Sequence, residues 1–225
     1  IIAIILSSSF GLYTWMNNPE SQMVAVTVRA GSKAEMALPD GTFVHLNAAT
    51  NLEYDVNNSK QRLVKLSGEA FFDVAKNPDC PFKVIINDLQ IEVVGTSFNV
   101  KTYKKDIVET SLLSGRIRIS GGSLPHEYTL SPGQKATYSA MDRTLRISKA
   151  DAHVEAGWRD NYLIFESTPL IDVIAQIERW YGVEIRLHHK QIAQDLLSGS
   201  FRNESIQNVI RSLSIQYGFK YEIHK

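Results

Sequence analysis

Two carboxylates, Glu69 and Asp73, stand among aromatic residues in GEAFFDVAKNPDCPF (residues 68–82), just ahead of Cys80, the single cysteine of the chain. An acid pair can protonate a leaving group and activate water at a glycosidic bond, and a thiolate can attack a carbonyl. Spacing decides against the first. As a strand, the segment turns Ala70, Phe72 and Val74 to one face and Glu69, Phe71 and Asp73 to the other. At about 3.3 Å per residue the two carboxylates stand roughly 13 Å apart, whereas glycosidase pairs need roughly 5 to 9.5 Å. Either could still meet a carboxylate from another strand. Cys80 lies between Pro78 and Pro81 in a loop, with no second cysteine for an intrachain disulfide or a CxxC zinc site.

Other chemistry is equally thin. GxxxxGK[ST], GxGxxG after a strand, GxSxG and HExxH do not occur. The histidines, His45, His126, His153, His188, His189 and His224, are scattered, and adjacent His188 and His189 would point to opposite faces of a strand. Gly31, Gly41, Gly68, Gly95, Gly115 and Gly133 separate strands and precede no helix, so they build no phosphate cradle. No catalytic residue, cofactor site or metal site is expected. Five aromatics, Tyr54, Phe98, Tyr103, Trp158 and Trp180, could stack on sugars and define a second reading as a carbohydrate- or small-ligand-binding sensor. Trp158 at a change of texture and Trp180 beside a helix face also suit packing.

The elements that would position these residues are mostly strands. From about 24 to 147 short β-branched or aromatic runs such as VAVTVRA, FVHL, RLVKL, FKVII and IRIS alternate with turns at Pro39-Asp40-Gly41, Asn57-Asn58, Asn87-Asp88, Gly121-Gly122 and Pro132-Gly133. This spacing predicts an all-β domain; sandwich, barrel and solenoid remain open. Near Trp158 the period changes. Leu170, Ile171, Val173, Ile174, Ile177 and Tyr181 fall at helical spacing, with Thr168 as N-cap, Pro169 in the first turn and Gly182 past the end. Ile206, Val209, Ile210, Leu213 and Tyr217 repeat the face and Gly218 the stop. A shift of 36 residues aligns Phe165, Val173, Ile174, Tyr181 and Gly182 with Phe201, Val209, Ile210, Tyr217 and Gly218. With VEIRL (183–187) and FKYEI (219–223) as closing strands, two β-α-β repeats are predicted, packed together because neither buries both faces alone.

Composition narrows the class. Lys plus Arg and Asp plus Glu both number 24, for a formal net charge of zero over 225 residues. That argues against a dedicated nucleic-acid binder, which carries a basic excess. The run IIAIILSSSFGLYTWM (residues 1–16) is apolar and uncharged, with Tyr13 and Trp15 near its polar end as in interfacial belts. It is shorter than the roughly 20 residues that span a bilayer, yet the chain opens on Ile1 rather than Met. The expectation is a truncated transmembrane anchor over 1–20, followed by an all-β domain over 21–150 and a β-α-β repeat module over 151–225.

Five segments in fixed order, LPDGTFVHLNAATNLEY (38–54), VKLSGEAFFDVAKNPDCPFKV (64–84), IEVVGTSFNVKTY (91–103), SLLSGRIRI (111–119) and LSPGQKATYS (130–139), resemble the periplasmic domain of FecR-family anti-sigma factors. GWRDNYLIFESTPLIDVIAQIERWYGVEI (157–185) is similar to the C-terminal domain of the Bacteroidetes branch, and its repeat to the short signalling domain of secretins and TonB-dependent receptors. The resemblance implies a non-enzymatic regulator with a twisted, solenoid-like or sandwich-like sheet. It further implies an inner-membrane single pass, with residues from about 20 in the periplasm. The implied partners are the signalling domain of an outer-membrane TonB-dependent transporter and a regulatory protease. An extracytoplasmic-function (ECF) sigma factor would be held by a cytoplasmic part absent from this sequence. On this resemblance GEAFFDV and GTSFNV define the fold, Glu69 and Asp73 are scaffold or surface, and Cys80 is incidental.

Overall fold

In the computed structural model, residues 22–56, 62–187 and 190–221 are described. The expected anchor over 1–20, the Asn57-Asn58 turn, His188, His189 and His224 lie outside the described residues.

Alternation of apolar and polar residues produces fourteen strands up to residue 149, and these close into two facing sheets. The first sheet holds β1 (Met23–Val28), β4 (Thr50–Asp55), β5 (Arg62–Ser67), β7 (Phe82–Ile86), β8 (Leu89–Val93), β11 (Ile117–Gly121) and β12 (Tyr128–Leu130), in that spatial order. The second runs β14 (Thr144–Lys149), β13 (Gln134–Ser139), β10 (Ile107–Ser114), β9 (Ser97–Lys101), β6 (Glu69–Asp73), β3 (Phe43–Leu46) and β2 (Ala34–Ala37). The chain crosses between sheets every one or two strands, so it winds like a solenoid while packing like a sandwich, and no barrel closes. Ladders are antiparallel except for the parallel pair of β5 with β7.

The core is the space between the sheets. Val44, Leu46, Ala70, Phe72, Phe98, Val100 and Leu112 meet Leu52, Val64, Phe82, Val84, Ile91, Ile117 and Leu130 there, all buried. Phe72 stacks on Phe98 at 5.2 Å between ring centroids and tilts against Phe82 of the opposite sheet at 5.8 Å. Each such side chain contributes on the order of 1.5–3 kcal/mol by leaving water.

One charged residue is buried with them. Arg62, 6 % exposed, donates to the carbonyls of Cys80 and Ala75 at 2.6 Å each and of Asn77 at 3.2 Å, and lies 3.3 Å from an Asp40 carboxylate oxygen. This guanidinium holds the Cys80 loop against the sandwich, and nothing in the RLVKL pattern distinguishes it from a solvated arginine.

The second unit begins with α1 (Ala152–Ala156), whose first turn is capped when His153 N–H donates to the Asp151 carboxylate at 2.8 Å, and a 3-10 turn over Gly157–Asp160. Then come β15 (Tyr162–Pro169), α2 (Leu170–Tyr181), β16 (Leu196–Arg202) and α3 (Ile206–Tyr217). β15 and β16 pair antiparallel, and the two helices cover them through Leu163, Phe165, Val173, Ile177, Val209 and Leu213. Repeat-equivalent Phe165 and Phe201 meet edge to face at 6.4 Å.

Three expectations are corrected. Val183–Leu187 is not a strand: Ile185 N–H donates to the Glu178 carboxylate at 2.7 Å instead of to a ladder. Ile185 and Leu187 still pack inward, so the alternation reported burial without a pairing partner. Phe219–Tyr221 is likewise not a strand, and the rest of FKYEI lies outside the described residues. Each repeat is therefore a β-α pair among the described residues. The N-cap of α2 is Pro169, with no side-chain cap. Its first amides instead donate to loop carbonyls, Leu170 to Asp195 and Ile171 to Ala193, each at 2.9 Å. Thr168 remains in β15.

Candidate functional site

The outer face of the second sheet carries the polar side of β6, β9 and β10, and the chain after residue 150 folds back over it. Glu69 is therefore buried, although its face of the strand points away from the core. One carboxylate oxygen accepts from Asn47 Nδ2 at 2.7 Å and the other from Asn99 Nδ2 at 3.0 Å. Both amides are fixed in turn: Asn47 Oδ1 accepts from Ala48 N–H at 2.8 Å, and Asn99 Oδ1 from Trp158 Nε1 at 3.1 Å. Trp158, 5 % exposed, packs with Ala156 on Phe71. Glu69 thus anchors a chain of hydrogen bonds that seats the linker, with one asparagine amide on each carboxylate oxygen. Asp73 instead accepts from Ser97 Oγ at 2.7 Å at an exposed strand end.

A second set of contacts joins α2 to the sandwich. The Lys33 ammonium lies 3.6 Å from the Trp180 ring centroid and donates to the Trp158 carbonyl at 2.6 Å and to Asn161 Oδ1 at 3.0 Å. Burial lowers its pKa to about 8, against the upward pull of Glu69 and Asp160. The Arg179 guanidinium covers the Tyr103 ring at 4.2 Å, and Lys104 pairs with Asp172 at 2.7 Å. Burial, then the nearby Glu69 charge, pushes the Tyr103 phenol upward. Gly31 N–H donates to the Arg179 carbonyl at 2.8 Å. Here glycine is required on both sides. A Cβ on Gly31 would stand 3.3 Å from Gly182 Cα, and one on Gly182 3.1 Å from the Ala30 carbonyl oxygen; both residues have left-handed φ, +78° and +67°. Farther along, Glu155 takes Ser111 Oγ at 2.9 Å and Lys135 at 2.7 Å.

This junction encloses a small cleft lined by Ala48, Glu69, Lys101, Tyr103, Gln176 and Arg179. The five aromatics that could stack on a sugar are not gathered there. Phe98 is in the core, Tyr54 packs against it, Trp158 is under the linker, and only Tyr103 and Trp180 border the cleft. Among the described residues no group of His, Cys, Asp and Glu could hold a metal ion, and no helix is long and apolar enough to cross a membrane. Lys33 and Arg62 were not legible as structural residues; the tryptophans and the SGEAFF segment were the available signals.

Outward from the junction, the C-terminal unit leaves a surface unpaired. Among the described residues β15 and β16 have only each other as strand neighbours. Leu196 is 59 % and Ile215 78 % exposed, and nothing lies within 4 Å of where a Cβ on Gly199 would stand.

The protein is a two-sheet winding domain locked to a small α/β unit through the Glu69–Asn99–Trp158 network. Comparison with known proteins supplies the class. The FecR protein profile matches residues 24–118, and the FecR C-terminal profile matches 162–225. Two crystal structures described as a "putative anti-sigma factor" from Parabacteroides distasonis ATCC 8503 are each 30% identical with a TM-score of 0.81. They cover 90% and 91% of this chain and 95% and 96% of their own. No curated protein sequence matches. The chain belongs to the FecR family of anti-sigma factors, which are non-enzymatic signalling regulators.

Proposed function

We propose that this chain is the signal-receiving region of a membrane-anchored anti-sigma factor. Residues 1–20 anchor it in the inner membrane, 21–150 form the periplasmic all-β domain, and 151–225 form the module that meets the signal. The partner is the signalling domain of a TonB-dependent outer-membrane transporter. Its occupancy is relayed across the membrane to an ECF sigma factor held by a cytoplasmic part outside this sequence. A regulatory protease could complete the relay without any catalytic group from this chain.

The observation that carries this reading is the open β15–β16 sheet. An unpaired strand edge offers its backbone N–H and C=O groups to a partner strand, and β16 adds an exposed Leu196 beside a small, uncrowded Ser198-Gly199-Ser200 stretch. The test is amide hydrogen exchange over residues 196–202 with and without the signalling domain of the transporter encoded beside this protein. Slower exchange on addition is expected. Unchanged exchange at saturating partner would contradict docking at this edge.

A further inference from the structure

The contacts across the junction fall into two mechanical kinds. Trp158 with Asn99 and Glu69, and Glu155 with Ser111 and Lys135, land on β6, β9, β10 and β13, each flanked by strands on both sides. Those strands cannot shift without breaking two ladders. The C-terminal end of α2 covers Tyr103 with Arg179 and, in addition, reaches the turn between β1 and β2, where the Arg179 carbonyl accepts from Gly31 N–H and the Trp180 ring lies under Lys33.

That turn joins two edge strands. Among the described residues β1 ends the first sheet and pairs only with β4, from Met23 against Asp55 to Val28 against Thr50. β2 ends the second sheet and, among the described residues, pairs only with β3 over four residues. Of the β1 side chains only Val28 is buried, and Met23 is 40 % exposed. Thr27 Oγ1 donates to Asn51 at 2.9 Å, Gln22 N–H donates to Asp55 at 3.1 Å, and Val26 packs against the core beside Val28. Low burial and a single ladder place a strand at the low end of local stability. The far end of β1 is fixed by another element, and its near end follows directly on residues 1–21. At six residues it spans about 20 Å.

We propose that β1 is the strand that carries the signal: the end of α2 clamps the β1–β2 turn through Gly31 and Lys33, and release of that clamp loosens β1 from β4 and alters the segment preceding Met23. The inference deepens the receiver reading above and rests on it for its purpose, but the mechanical coupling is a property of this chain alone. The clamp is built for release. Between α2 and the turn its members are one cation over an indole, one hydrogen bond and a glycine–glycine approach, and two further Lys33 hydrogen bonds end on the linker, whose own seat is held by the buried Trp158 and the Asn99–Glu69 network. A partner that draws α2 away would break the Gly31–Arg179 hydrogen bond and uncover the Lys33 ammonium, leaving the turn held by the two Lys33 bonds to the docked linker.

The test needs no partner, so it separates this coupling from the identity of the signal. Hydrogen exchange is followed by mass spectrometry on the 225-residue chain in detergent micelles, for the native protein, Lys33→Ala/Trp180→Ala and Gly218→Ala. Gly218→Ala perturbs the C-terminal unit at a site with nothing within 4 Å. In the double variant residues 23–28 are expected to exchange about tenfold faster, the scale of losing a cation–π contact with its hydrogen bonds. β6 and β9 should keep their native rates, and Gly218→Ala should leave β1 unchanged. Should the double variant lose its fold, Lys33→Met alone, which retains both tryptophans, carries the same comparison at a smaller ratio. Unchanged β1 exchange in a folded clamp variant, or β1 loosening only together with β6 and β9, would overturn the proposal.

Discussion

At the scale of single residues, the two charged groups that matter most are buried, and each is argued by its partners. Glu69→Gln replaces an acceptor with a donor facing one of two asparagine amides. Neither asparagine can flip, because Asn47 Oδ1 and Asn99 Oδ1 already accept from Ala48 N–H and Trp158 Nε1. A donor left unpaired there should cost about 1–3 kcal/mol, read as a lower urea midpoint at unchanged slope. Arg62→Met should cost more, about 3–5 kcal/mol, because it leaves a half-buried carboxylate and several carbonyls without their donor together. Lys33 makes a pH prediction. Its pKa is lowered from 10.5 to about 8 in the folded protein, so between those values the unfolded chain binds more protons and stability rises with pH. The contribution is fully present above 10.5 and is lost as pH falls through about 8. The melting temperature of the native protein should therefore gain on that of Lys33→Met as pH rises from about 8, read below about pH 10 where tyrosines ionise. A constant difference across that window would contradict it.

At the scale of elements, Gly182 and Gly218 form a matched pair. Both end equivalent helices with left-handed φ, +67° and +69°, but only Gly182 abuts another backbone. Gly218→Ala should cost about 1–2 kcal/mol for the left-handed conformation alone. Gly182→Ala should cost more and also raise Trp180 solvent exposure, measured by fluorescence quenching; equal effects would show that the glycine contact does not hold the units together. This pair also marks how far the sequence could be read. The glycine stops, the helix faces and the strand runs follow from local period and φ preference, so they were legible. VEIRL alternates as a strand should, and Ile185 and Leu187 do pack inward, but pairing needs a neighbour that alternation cannot supply. The buried face of Glu69 was hidden for the same reason: GEAFFD alternates correctly, but what covers its outer side arrives from residues 152–160. The roles of Lys33 and Arg62 depend on contacts 125 and 18 residues away respectively, beyond any local pattern.

At the scale of the whole molecule, the layout suits a receiver better than a catalyst. Its most elaborate polar network is spent on joining two units, and the smaller one carries a two-stranded sheet beside exposed Leu196 and Ile215. The chain enters at an edge strand whose far turn that smaller unit grips, so docking there has a short physical route to the N-terminal segment. The central claim is that the signal is borne by a protein. Calorimetric titration tests it most directly, with the chain set against the isolated signalling domain of the neighbouring transporter and, as control, that of an unrelated one. Binding at micromolar or tighter affinity for the neighbour alone is the predicted result. Folded samples that release no heat with either domain and show no exchange protection at β16 would contradict it.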